Sequence, residues 1–91
     1  MKENTDYAGE WIFENDKLRK IFEFHSFLDA ISFMKVASSS IENLNHHPEW
    51  TNIYNKLEVV LQTHDAGNKV TDKDYELARI LDDLYQSFSV E

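Results

Sequence analysis

The interval between apolar residues changes along this chain, and that change most limits what it can fold into. From Phe27 through Ala30, Ile31, Phe33, Met34, Ala37, Ile41 and Leu44, spacings of three and four mark the buried stripe of an amphipathic helix. Further on the period becomes two. Leu57, Val59 and Leu61 fall on one face of an extended strand, with Glu58, Val60, Gln62 and His64 on the other. Helical spacing returns with Tyr75, Leu77, Ala78, Leu81, Leu84, Tyr85 and Phe88. Ahead of the first helix, Trp11–Phe13 and Leu18–Phe24 read as two strands joined through the turn-forming pair Asn15-Asp16. A second hairpin pairs Trp50–Tyr54 with Lys56–Thr63 about Asn55. The order strand, strand, helix, strand, strand, helix predicts an α+β fold with two layers. A four-stranded antiparallel sheet carries two main helices on one face and leaves the other for a ligand or partner.

Local signals set the boundaries. Ser26 is an N-cap with Asp29 three residues on, and the helix it opens runs to about Leu44. Within it, Ser38-Ser39-Ser40 forms helix weakly, and these small residues are expected to allow close packing against a neighbouring element. Asp65-Ala66-Gly67-Asn68 reads as a turn, and Thr71 with Asp74 as an aspartate version of the capping box.

Ninety-one residues with only two glycines and one proline predict a single domain over 1–91, with 1–8 as a flexible tail. The chain has no cysteine, which rules out disulfides, thiol catalysis and cysteine zinc sites. Nine basic residues are scattered among seventeen acidic ones, a net charge of −8 that disfavours direct nucleic-acid binding and anionic membranes. The start, Met1 to Asp6, is polar without an apolar run behind it, and no later stretch reaches membrane-spanning length. The expectation is a soluble, cytoplasmic protein. Edge strands and apolar surface on so short a chain favour self-association as a homodimer or homotetramer.

The chemistry gathers at His46-His47-Pro48-Glu49-Trp50. Histidine exchanges protons near neutral pH with little tuning. Pro48 pushes His47 towards extended backbone, where successive side chains point to opposite sides, so His46 and His47 should diverge. Glu42 lies one turn before His46 if the helix persists that far, within reach to accept an imidazole N–H and fix its tautomer. The period-two pattern aims His64 away from the core. Adjacent histidines cannot easily turn to one tetrahedral centre, and no histidine pair sits at i, i+4 on a helix, so no metal is expected. His25 reads as a residue at a helix start. Trp11, Trp50 and Tyr54 are ordinary core or strand-pairing aromatics, although each could stack on a flat ring.

Taken in order, Glu42, His46-His47-Pro48, Trp50, Tyr54, Thr63-His64 and Asp74 resemble the signature of the pterin-4a-carbinolamine dehydratases, over nearly the whole chain from about Trp11. The resemblance implies removal of water from a 4a-hydroxytetrahydropterin to give the quinonoid dihydropterin, without cofactor or metal. It implies His46 and His64 as the acid–base pair, in either assignment, and His47 as chiefly a binding residue. Glu42, Pro48, Trp50, Asp74 and, less directly, Trp11 would bind or orient the pterin. A functional link to an aromatic amino-acid hydroxylase, whose product such an enzyme recycles, follows from the same resemblance. A second reading also comes with the family: some members serve as dimerisation cofactors for transcription factors, using helix surfaces rather than histidines.

Overall fold

The computed structural model describes residues 11–89; the expected tail, 1–8, lies outside them. Strands β1 (Ile12–Glu14) and β2 (Lys17–Glu23) are followed by α1 (Phe27–Leu44), β3 (Glu49–Ile53), β4 (Lys56–Leu61), a 3₁₀ turn (His64–Ala66) and α2 (Asp72–Ser89). The sheet is antiparallel in the order β1-β2-β4-β3, and the expected α+β architecture is the one found.

Both hairpins close in two residues because their turns use left-handed backbone. Asn15 and Asp16 stand at φ 54° and 60°, a conformation that asparagine and aspartate tolerate better than most residues. At the second hairpin Tyr54 has φ 54°, unusual for so bulky a side chain, and the Asn52 amide braces the turn by donating to the carbonyls of Tyr54 and Lys56.

Register aligns the apolar rows. Leu18 stands opposite Leu61, Lys20 opposite Val59 and Phe22 opposite Leu57, so one face of the two central strands is almost wholly apolar. Against it pack Ala30, Phe33, Ala37 and Ile41 of α1 and Leu77, Ala78 and Leu81 of α2, all buried. The rings of Phe22, Phe33 and Tyr85 meet at centroid distances of 4.9–6.2 Å in tilted and edge-on contacts, joining sheet to both helices. Lys20 is the polar exception on this face. Its Nζ reaches Asp82 of α2 at 2.6 Å and lies 4.6 Å from the Phe22 ring centroid, while Trp11 Nε1 donates to the same carboxylate.

Three expectations about packing need correction. Phe27, Ile31 and Tyr75, placed on buried stripes by their spacing, are 45%, 39% and 51% exposed, because each lies beyond the arc its helix turns to the sheet. Ser38 and Ser39 are exposed too, so they admit no close neighbour among the described residues. Ser38 instead donates to the Lys35 carbonyl, a local bond that lets a weak helix former sit on a solvent face. Nor does β4 extend to Thr63; it ends at Leu61.

Replacing Tyr54, 69% exposed at φ 54°, by glycine removes the left-handed strain and sacrifices little packing. Tyr54→Gly is expected to raise unfolding stability by about 0.5–1 kcal/mol, read as a higher urea midpoint at unchanged slope.

Candidate active site

The end of α1 determines how the histidines are presented. Asn45 adopts the left-handed conformation (φ 56°, ψ 42°), its N–H donating to the Glu42 carbonyl and that of His46 to Ile41, a Schellman ending. The helix therefore stops before His46, and the turn breaks the i, i+4 relation on which pairing with Glu42 depended. Glu42 Oε1 instead accepts from His47 Nε2 at 2.6 Å, an exposed contact. His46 turns inward and donates through Nε2 to Asp74 Oδ1 at 2.6 Å, with the imidazole 10% exposed and the carboxylate not at all. The two rings diverge as expected, with their partners other than anticipated.

Asp74 is held from three elements. Besides His46, Thr63 Oγ1 donates to its Oδ2 at 2.8 Å, and so does the Thr71 N–H at 2.9 Å, the reciprocal half of the capping box. The Thr71 hydroxyl in turn accepts from the Lys73 N–H. Position in the first turn of α2 favours a carboxylate there. A carboxylate oxygen only accepts, so the His46 proton resides on Nε2 and Nδ1 keeps the lone pair in the neutral ring.

His64 is exposed as expected, although it opens the 3₁₀ turn after β4 and does not stand on an extended strand, with Nδ1 2.8 Å from Asn68 Oδ1. Two shallow clefts meet over it. One of about 230 Å³ is walled by His47, Pro48, Glu49, Val60, Gln62 and His64. The other, about 250 Å³, includes Asn45, His46, His47, Thr63, His64 and Lys73. Each is smaller than the roughly 300–1,000 Å³ usual for a ligand site, but shared walls at His47, Gln62 and His64 make them one trough.

The structure thus brings together Glu42, His46, His47, Pro48, His64 and Asp74. Trp50 packs partly buried against the core. Trp11 is buried by the β1–β2 hairpin and lines a separate, roomier cleft of about 550 Å³ with Phe13, Tyr75 and Arg79. No histidine lines that cleft, so size does not follow chemistry here. Gln62, Asn68 and Lys73 belong to the surroundings of the histidines yet were not singled out from sequence. Gln62 had a detectable signal, since the period-two pattern read through to His64 puts the two on one side; Asn68 and Lys73 carried only turn and helix-start signals.

The two-layer α+β body thus sets three imidazoles along one open trough, one of them backed by a buried carboxylate. The chain belongs to the pterin 4 alpha carbinolamine dehydratase family, whose model matches residues 1–84. It is 56% identical over 69 residues to a protein of Opitutus terrae that bears the dehydratase name provisionally, covering 76% of this chain and 71% of the relative. A Solibacter usitatus protein, named in the same provisional way, is 49% identical over 74 residues, covering 81% and 77%. Among solved structures, a Brucella melitensis protein described as a transcriptional coactivator/pterin dehydratase superposes with a TM-score of 0.77 at 36% identity, covering 82% of this chain and 81% of that one. A pterin dehydratase-like protein described as a RuBisCO assembly factor of the alpha-carboxysome shares the fold, with a TM-score of 0.70 at 16% identity over 88% and 92% of the two chains.

Removing the Asp74 carboxylate strands three donors at once, those of His46 and Thr63 buried and the Thr71 N–H partly so. Asp74→Ala is expected to cost about 3 kcal/mol of stability by urea unfolding, whereas Glu42→Ala, at an exposed pair, leaves the midpoint unmoved.

Proposed function

We propose that this chain dehydrates a 4a-hydroxytetrahydropterin to the quinonoid dihydropterin and water, the reaction that returns the pterin used by an aromatic amino-acid hydroxylase. The observation that carries this reading is the buried His46–Asp74 pair opening onto the same trough as His64. In the elimination the bond from C4a to its hydroxyl oxygen breaks, and the oxygen leaves with the electron pair and a proton from one imidazole. The adjacent ring nitrogen surrenders its proton to a second base, and its N–H electron pair becomes the new C=N bond. Two proton-exchanging groups beside a flat ligand meet that demand without a metal or redox group. His46, oriented by Asp74, and His64 take these roles. His47, held in the open by Glu42, binds and orients the ring, with Pro48 lining the same cleft and Trp50 packed behind it against the core.

Support for the family part of this reading is the match over most of the chain. Support for the chemistry is the site itself. A transcription-factor cofactor has no use for the exposed His47 and His64 beside the His46–Asp74 pair, but it remains the second reading, since the Brucella melitensis neighbour is described as both coactivator and dehydratase.

Stopped-flow dehydration of freshly generated 4a-hydroxytetrahydropterin tests the proposal. Changing His46 or His64 to alanine should each lower kcat by about 10²–10⁴-fold, and His47→Ala should act mainly on KM. Wild-type rates in both His46→Ala and His64→Ala would sink the assignment.

Assembly forms part of the proposal. Strands β1 and β3 are the sheet edges, Ile53 is 69% exposed at the end of β3, and Phe27 and Leu28 stand exposed on α1. Light scattering at micromolar protein is expected to give a dimer or tetramer; a strict monomer refutes self-association and leaves the catalytic reading standing.

A further inference from the structure

The loop after β4 carries a residue whose side chain has one evident task. Residues 64–68 form a closed loop, pinned at its base by Thr63 N–H donating to the Lys69 carbonyl at 2.9 Å and Lys69 N–H returning to Thr63 at 3.3 Å. Within it the N–H groups of Gly67 and Asn68 both reach the His64 carbonyl, at 3.0 and 3.4 Å, so the chain doubles back over His64. Gln62 Nε2 holds the far side, donating to the carbonyls of Asn68 and Asp16 and so tying the loop to the β1–β2 turn. Asn68 sits at φ 61° immediately after Gly67 at φ 82°. Asparagine is one of the few residues besides glycine that tolerates this backbone, so it can hold the turn and still offer a side-chain amide. Its Oδ1 lies 2.8 Å from His64 Nδ1.

We infer that Asn68 is a positioning residue that fixes His64 with its proton on Nδ1, so that Nε2 is the nitrogen exchanging protons with a ligand in the trough. An amide oxygen accepts and does not donate, so this contact requires Nδ1–H. The neutral ring then keeps its lone pair on Nε2, and a charged ring donates from Nε2. The assignment therefore holds whether His64 acts as acid or as base. His46 is set the other way, with Asp74 on Nε2 and no partner on Nδ1 among the described residues. The two rings thus exchange protons through opposite nitrogens, each defined by a partner outside the trough. The inference rests on the dehydratase reading for its catalytic consequence and on geometry alone for the tautomer.

Long-range ¹H–¹⁵N correlation spectra of histidine-labelled protein at mildly alkaline pH, without substrate, read the tautomer directly. His64 is expected to appear as the Nδ1–H form in wild type and in Asn68→Asp, where an acceptor oxygen persists. In Asn68→Gly, which suits the left-handed backbone, a mixture of tautomers is expected. In the dehydration assay Asn68→Gly should lose about 3–10-fold in kcat, the scale of one hydrogen bond, with KM within about twofold, and Asn68→Asp should recover most of the loss. A wild-type His64 in the Nε2–H form, as it would be if the Asn68 amide group donated to Nδ1, overturns the inference. So does a tautomer indifferent to Asn68→Gly. The spectra need no turnover, so a protein inactive on the pterin but showing the Nδ1–H form would defeat the enzymatic reading while upholding the role of Asn68.

Discussion

Everything at the functional end of this molecule hangs on one buried carboxylate. Asp74 accepts from an imidazole that follows α1, from a hydroxyl that follows β4, and from the backbone N–H that begins α2. The first of these segments is distant in sequence from the other two, which a short antiparallel bridge between Thr63 and Lys69 already joins. Burying the group without such donors would cost more than a domain of this size can offset, whereas with all three it becomes a fastener. The same interaction orients His46, so stability and site geometry are two readings of one set of bonds.

Opposite this end, Asp82 does comparable work for the other half of the sheet. It takes hydrogen bonds from Trp11 and Lys20 and so joins the β1–β2 hairpin to α2. Lys20 points to the apolar face by strand alternation, and its ammonium is accommodated there because a carboxylate and the face of Phe22 are both at hand. Each carboxylate belongs to α2, one in its first turn and one past its middle. The helix thereby grips the sheet at two places as well as through Leu77 and Leu81.

Much of this was legible in the sequence, and the parts that were not share a cause. Hydrophobic period located β4 and both helices, apolar segments about turn residues located the other strands, and Ser26 and Asn15-Asp16 set boundaries by local chemistry that does not depend on the rest of the fold. The buried arc of each helix was less legible, since Ile31 and Tyr75 obey the spacing yet fall outside it; arc width depends on how the helices lie against the sheet. The site shows the same division. That His46 and His47 diverge follows from Pro48, a local constraint. Their partners follow from the left-handed Asn45, which redirects the chain by one residue's torsion and gives Glu42 to His47 and Asp74 to His46. Asn68 was hidden for another reason: a turn residue and a histidine partner look alike until the loop is closed.

The site is built from the connections that follow α1 and β4 and lead into α2, and its members differ in how firmly the fold requires them. His47 and His64 are exposed and bonded only to exposed side chains, whereas His46 is embedded with Asp74 and Thr63. A lineage that inherited this body and gave up the chemistry would therefore shed its imidazoles unevenly. Drift would reach positions 47 and 64 early, while 46 and 74 persisted as a fossil of the active site, retained for cohesion. Members of the fold that took up other work, as the carboxysomal neighbour's description indicates for that protein, are where such a remnant can be sought.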